Sequence, residues 1–209
     1  MVFVDKLTVS TRNYIFNTID SSYFETSNEV DMANLNPVDI ENASDAQKQL
    51  FNEVKGAFGA VPNMFKTIGQ SSAALESMWT SFGALGKGSI SPALGEQIAV
   101  LVADINRCEY CLSAHTVLGK NAGVSEQDMR LAQLGSSDDS KVQAALDFAR
   151  KLVTQHGQVS RNDIGLVKQA GFSDAEVAEI LAHVALNIFT NYTNVAFDVE
   201  VDFPLVNLS

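Results

Sequence analysis

The two cysteines of this 209-residue chain stand three positions apart, in Cys108-Glu109-Tyr110-Cys111, and His115 follows four residues later. Asn106 with Glu109 three positions on reads as an N-cap and capping box, which predicts a helix start with Cys108 in the first turn. The spacing i, i+3, i+7 then brings Cys108, Cys111 and His115 to one helix face. Unpaired backbone N–H groups and the helix dipole at such a start favour a thiolate, so a cysteine there titrates below its usual ~8.5. His115, one turn beyond Cys111, is placed to exchange a proton with it. Cβ atoms at i and i+3 lie about 5–6 Å apart on a regular helix, against about 3.5–4.5 Å in a disulfide. A bridge therefore needs the first turn to relax, which suits a reversible, redox-active disulfide better than a structural one.

Other chemistries fit less well. A structural disulfide across so short a loop constrains little, and a reducing compartment would keep it open. Zinc would find three ligands here and need a fourth, with Glu96 the nearest choice, while structural zinc sites use two separated ligand pairs. A c-type haem needs a histidine directly after the second cysteine, and Leu112 stands there. A thioredoxin-type site expects a βαβ setting. No metal and no cofactor is expected.

Glu96 lies near the start of LGEQIAVLVADI, a segment apolar on nearly all faces and so mostly buried. Its position alone slightly favours an exposed first turn that offsets the helix dipole. Held inside a site, the carboxylate can act as a general base near neutral pH.

The elements that position these residues read as helices almost without interruption from Asn42 onward. Ser44 with Gln47 is a capping box, followed by Leu50, Phe51, Val54 and Phe58 at helical spacing and by Gly59. Val61-Pro62-Asn63 reads as a tight connection. A second helix spans about residues 72 to 85, with Leu75, Met78, Trp79 and Phe82 assigned to the core. Ser91-Pro92 sets an N-cap beside a proline at the first helical position, for a helix that continues to about Ile105. The stretches AGVSEQDM and AGFSDAEV echo each other 48 residues apart, each a glycine stop followed by a serine cap, and suggest two related helical hairpins joined through GSSDDS. On the last long helix, His183 reads as a satisfied buried or interface histidine. Asn187, Asn191 and Asn194, with Tyr192 among them, read as a polar stripe serving a subunit interface. His156, beside Gly157, reads as a C-terminal dipole partner. No period-2 run is convincing, so the class is all-α.

Composition narrows the function. Lys and Arg number 14 against 25 Asp and Glu, a net charge of −11, which excludes phosphate-backbone binding as a main activity. A hydrophobic fraction of 46% argues against a disordered acidic chain. The most apolar window, IAVLVADI, is far shorter than the ~20 residues that cross a bilayer. No signal sequence is evident, so a cytoplasmic protein is the expectation. Residues 1–31 differ in composition from the rest and read as an extension or an arm on a neighbouring subunit, with no assigned chemistry; residues 32–209 read as a single domain.

Taken together, Glu96 and Cys108-x-x-Cys111-x-x-x-His115 resemble the signature of the AhpD-like alkylhydroperoxidases, within the carboxymuconolactone decarboxylase-like family. GAVPNMFKTI and FTNYTNVAFDVEVDFP extend the likeness over roughly residues 40 to 205. The resemblance implies packed antiparallel helices, a homo-oligomer (trimer or hexamer), and a hydroperoxide substrate. It implies that one thiolate attacks the peroxide, that the other cysteine resolves the sulfenic acid to a disulfide, and that a dithiol or lipoyl-type protein reduces the pair. Glu96 and His115 would form the proton relay, with Cys111 the attacking thiol because it is nearer His115. Tyr110 occupies the place where the best-known member carries a relay histidine, and a phenol with pKa near 10 shuttles protons poorly at neutral pH. Two other readings stay open: a non-enzymatic thiol redox sensor, and a cofactor-free lyase acting through Glu96.

Overall fold

The computed structural model describes residues 33–209. The expected N-terminal arm, residues 1–31, lies outside the described residues. Those residues form nine α-helices and no strand: α1 (Asp45–Phe58), α2 (Asn63–Ile68), α3 (Ser72–Leu85), α4 (Pro92–Ile105), α5 (Glu109–Asn121), α6 (Glu126–Gln133), α7 (Ser140–Thr154), α8 (Arg161–Gln169) and α9 (Asp174–Phe197). None of these helices is long and apolar enough to cross a membrane.

The caps read from the sequence set most boundaries. Ser44 and Gln47 form the reciprocal box at α1, and Gly59 closes that helix in a left-handed conformation at φ 82°. Ser91 caps α4 with Pro92 at its first position. The two echoed stretches build the α5–α6 and α8–α9 corners, with Gly123 at φ 86° and Gly171 at φ 96°. Ser125 and Ser173 then cap α6 and α9. The likeness is confined to those corners, since α6 has 8 residues and α9 has 24.

Two expectations need correction. Val61-Pro62-Asn63 is followed at once by the short helix α2, with Pro62 in the N-cap position. Asn106 does not cap α5; it ends α4, and Arg107 turns the chain at φ 57°. Cys108 is itself the N-cap of α5, its sulfur accepting the Cys111 backbone N–H at 3.3 Å.

Helix α4 organises the core. Ten of its 14 residues are buried, and it packs against α5, α6, α7 and α9. Burial on nearly all faces follows from its composition, because no long polar side chain interrupts Ile98 through Ala103. The three-residue link from α4 to α5 makes the pair antiparallel neighbours. The C-terminal segment after α9 has no regular structure and straps the bundle. Asp202 accepts the Asn63 N–H at 2.8 Å, Val206 donates to Ser113 Oγ at 3.0 Å, and Ser209 donates to Asp104 at 2.9 Å.

Candidate active site

Cys108 and Cys111 meet α4 and α9 where α5 begins. Both are free thiols and both are buried. His115, one turn along α5, holds Glu96 of α4 through its Nδ1 at 2.7 Å from Oε2. The Glu96 side chain is only 14% exposed, so the carboxylate stands inside the site and not in an exposed first turn. The pairing is possible because Glu96 is on the first turns of α4 while His115 is on the second turn of α5, which runs back alongside.

Around Cys111 Sγ the helix start and α9 supply polar partners. Asn194 Nδ2 donates to the sulfur at 3.1 Å, and Thr190 Oγ1 lies 3.8 Å away. Burial opposes ionisation of Cys111, but the Cys108 thiol, His115, Asn191 and Asn194 outweigh it and draw the thiol down to about 6. Cys108 moves the other way. Its own hydrogen bond to Cys111, followed by burial and the charge on Cys111, pushes its thiol up. The pair is thus a proton-holding Cys108 that donates to an ionisable Cys111. Burial pulls His115 down, yet the neighbouring Glu96 carboxylate raises it overall, so it is poised to carry a proton beside the thiolate.

A cavity of about 50 Å³ adjoins the cysteine, with Glu96, Cys111, His115 and Thr190 among its lining residues. Its other walls include Phe58, Phe65, Phe82, Phe203, Met64 and Tyr110. Room for a few water-sized groups next to a thiolate, with polar groups at the reacting wall, is a small-substrate site. Tyr110 helps hold the wall: its ring stands edge-on to Phe203 at 5.6 Å, and its hydroxyl accepts the Met64 N–H at 3.2 Å. Burial, then the Asp202 carboxylate, pushes Tyr110 well above the usual phenol range, so it stays a neutral donor. Burial also raises Asp202.

Cys108, Cys111, His115, Glu96 and Tyr110, all singled out by sequence, therefore gather at one place. Several other readings change. The Asn187, Asn191 and Asn194 stripe is buried within the chain and faces the cysteines in part, so it is not a surface for a neighbouring subunit. Met78 is core and Trp79 packs against it, half-buried with its indole N–H on Glu53 at 3.0 Å, but Phe82 is also a cavity wall. His183 is not satisfied: its buried Nε2 has no partner, and its ring lies over Gly95, where an added Cβ would meet Cε1 at 3.4 Å. Burial lowers His183 despite the nearby Glu96 and Glu179, so it is neutral beside the relay. Phe203 and Phe58 were missed as cavity walls because they join it only through the C-terminal strap and the end of α1. Among the described residues, no group of three or more His, Cys, Asp or Glu side chains could hold a metal ion.

An all-α fold with a buried thiol pair at a helix start, backed by a Glu–His pair, defines the class. Residues 73–155 match the model of the carboxymuconolactone decarboxylase family, and the chain has an AhpD-like helical fold. Solved structures agree on the fold. An alkylhydroperoxidase AhpD core, a peroxidase-related protein of Ralstonia eutropha JMP134, superposes with TM-score 0.75 at 21% identity over 83% of this chain and 94% of that one. A peroxidase-related protein of Silicibacter sp. TM1040 gives 0.69 at 23% identity, over 79% and 91%. The debrominase Bmp8 gives 0.69 at 22% identity, over 80% and 91%. No curated protein is detectably similar to the chain.

Proposed function

We propose that the chain is a thiol-dependent hydroperoxide reductase, an enzyme of disulfide oxidoreductase type. Cys111 attacks the terminal peroxide oxygen as a thiolate. The S–O bond forms as the O–O bond breaks, sulfur is oxidised to a sulfenic acid, and the departing alkoxide takes a proton from His115 to leave as alcohol. Glu96 holds His115 in the protonated form that this step consumes. Cys108 then attacks the Cys111 sulfur; the S–O bond breaks, and the sulfenic oxygen leaves as water with the Cys108 proton. A dithiol or lipoyl-type protein reduces the resulting disulfide. A homo-oligomer is part of the same reading.

The observation that carries this is the placing of Cys111, whose thiol is drawn down by its donors, on the wall of a cavity that also presents the His115–Glu96 pair. The test is peroxide consumption with a dithiol reductant in excess. An enzyme consumes many equivalents and Cys111→Ser consumes none. One equivalent and no more would make the protein a redox sensor, and peroxide consumption that survives the loss of both cysteines would remove the thiol mechanism.

The aromatic walls favour one second reading, thiol-dependent removal of halogen from an aromatic ring. Bmp8 is a debrominase, and a variant of it is known bound to 2,3,4-tribromopyrrole. Here two thiols would give up two electrons and form the disulfide while the ring exchanges bromine for hydrogen and bromide leaves. Bromide release from a bromopyrrole in the presence of a dithiol decides between the two substrates.

A further inference from the structure

The α9 asparagines carry a feature that the steps above do not use. Asn191 is fully buried and Asn194 is 3% exposed, yet each has one polar atom without a hydrogen bond. Buried amide groups are nearly always partnered, so two orphans on neighbouring side chains call for an explanation. The orphans are complementary: Asn191 Nδ2 is a donor and Asn194 Oδ1 an acceptor.

Their orientation is fixed from the other end of each amide. Asn106 Nδ2 donates to Asn191 Oδ1 at 2.9 Å, which leaves the Asn191 amino group as the free end. Asn194 spends its amino group on Cys111 Sγ at 3.1 Å, which leaves its oxygen free beside the same sulfur. The Asn191 amide also faces Cys111 Sγ and favours its thiolate, from beyond ordinary hydrogen-bond length. The two residues are i and i+3 on one helix and so share a face. That face meets the reacting atom.

We propose that Asn191 and Asn194 are further catalytic residues that bind the oxygen transferred to Cys111, Asn191 Nδ2 donating to it and Asn194 Oδ1 accepting its proton. The proposal rests on the hydroperoxide reading of the site. In the attack, Cys111 Sγ gains an S–OH group whose oxygen comes from the peroxide and whose hydrogen is the peroxide's own. Each orphan then gains the partner it lacks in the reduced protein, and no further co-reactant is needed. An arrangement complete only after the S–O bond begins to form stabilises the transition state above the ground state.

The experiment compares two reactions of the same thiol in a Cys108→Ser parent, which stops at the sulfenic acid. Cumene hydroperoxide delivers an oxygen; iodoacetamide alkylates the sulfur and delivers none. Both rates are measured by stopped flow well above the thiol pKa, so that ionisation is complete. Asn191→Leu is expected to slow the peroxide reaction about tenfold or more, in line with loss of one such donor, and to leave alkylation within about twofold. Asn191→Ser, which keeps a donor, recovers part of the loss. Asn191→Ala and Asn194→Ala read the same ratio if the leucine variant does not fold. Equal loss in both reactions, or loss in neither, overturns the proposal. A Cys108→Ser parent that oxidises no faster than Cys111→Ser overturns the hydroperoxide reading itself, and this proposal with it.

Discussion

The N-cap of α5 and the turn that follows it bury one cysteine each, to nearly the same depth, and treat them in opposite ways. Cys108 is 1% exposed and Cys111 is 2% exposed. Burial alone would raise both thiols. Cys111 escapes because it receives what Cys108 gives: the Cys108 hydrogen bond, the Asn194 amide at 3.1 Å and the charge on His115 all converge on its sulfur. Cys108 spends its sulfur lone pair on the Cys111 backbone N–H and its proton on Cys111, and is left as the weaker acid. Depth does not decide which cysteine reacts; the distribution of donors does.

The strongest way to break that contrast is to remove each sulfur in turn. Cys111→Ser should lower the rate of peroxide consumption by about a thousandfold or more, the usual cost of losing a nucleophile. Cys108→Ser should retain one fast oxidation per chain and then stop. Stopped-flow traces separate the two, since a burst of one equivalent appears only in the second variant. Equal bursts from both would mean that the cysteines are interchangeable.

Next in size is the partner that tilts the pair. Glu96→Gln keeps the shape but removes the charge that raises His115. His115 then falls toward neutrality at pH 7, the Cys111 thiolate loses an opposite charge, and its titration moves to higher pH. The rate at pH 7 should drop about tenfold, within the range for general acid–base groups, and recover partly at alkaline pH where the thiol ionises unaided. Absorbance titration of the thiolate checks the shift. An unmoved titration would remove Glu96 from the relay.

The contrast also fixes where the reductant attacks. A disulfide is opened most readily by expelling the sulfur of lower pKa, which here is Cys111. The incoming dithiol should therefore form its mixed disulfide with Cys108. Trapping with a mono-thiol probe followed by peptide mass spectrometry should find several-fold more adduct on Cys108 than on Cys111. A majority on Cys111 would reverse the assignment of roles.

How much of this was legible in the chain depends on how local each signal is. Ser44, Ser91, Ser125 and Ser173 set helix starts because a cap is a bond between near neighbours. The Cys108–Cys111–His115 spacing is local in the same way, whereas Glu96, whose position alone favours an exposed first turn, reaches His115 only because α5 runs back alongside α4. The start of α5 was misread because Asn106 and Cys108 can both cap a helix, and the left-handed turn at Arg107 settles it in favour of Cys108. Helix α2, at six residues after Pro62, is too short to show a period. Asn191 and Asn194 were assigned to an outer stripe because polarity on a helix face says nothing of what that face meets. Only the packing of α9 on α4 and α5 turns them inward. His183 was misread likewise, since its lack of a partner is a property of the whole fold.

The smallest effect is on stability, and its sign follows from the two thiols. Cys111 has a folded pKa of about 6, below the value near 9 for an unperturbed thiol. Its contribution to stability is therefore complete above about pH 9 and lost as pH falls through about 6. Cys108 is raised, so its contribution is present below the unfolded value and declines as pH rises through its folded one. The Tm of the reduced wild type minus that of Cys111→Ser should therefore increase between pH 6 and 9, while wild type minus Cys108→Ser should stay flat there. The increase should be at least about 2 °C, since 1 kcal/mol moves the Tm of a domain this size by about 2–4 °C. Scanning calorimetry in the presence of a non-thiol reductant measures both differences. A flat line for Cys111 would mean that its sulfur stays protonated in the folded chain, and the contrast between the two positions would be lost.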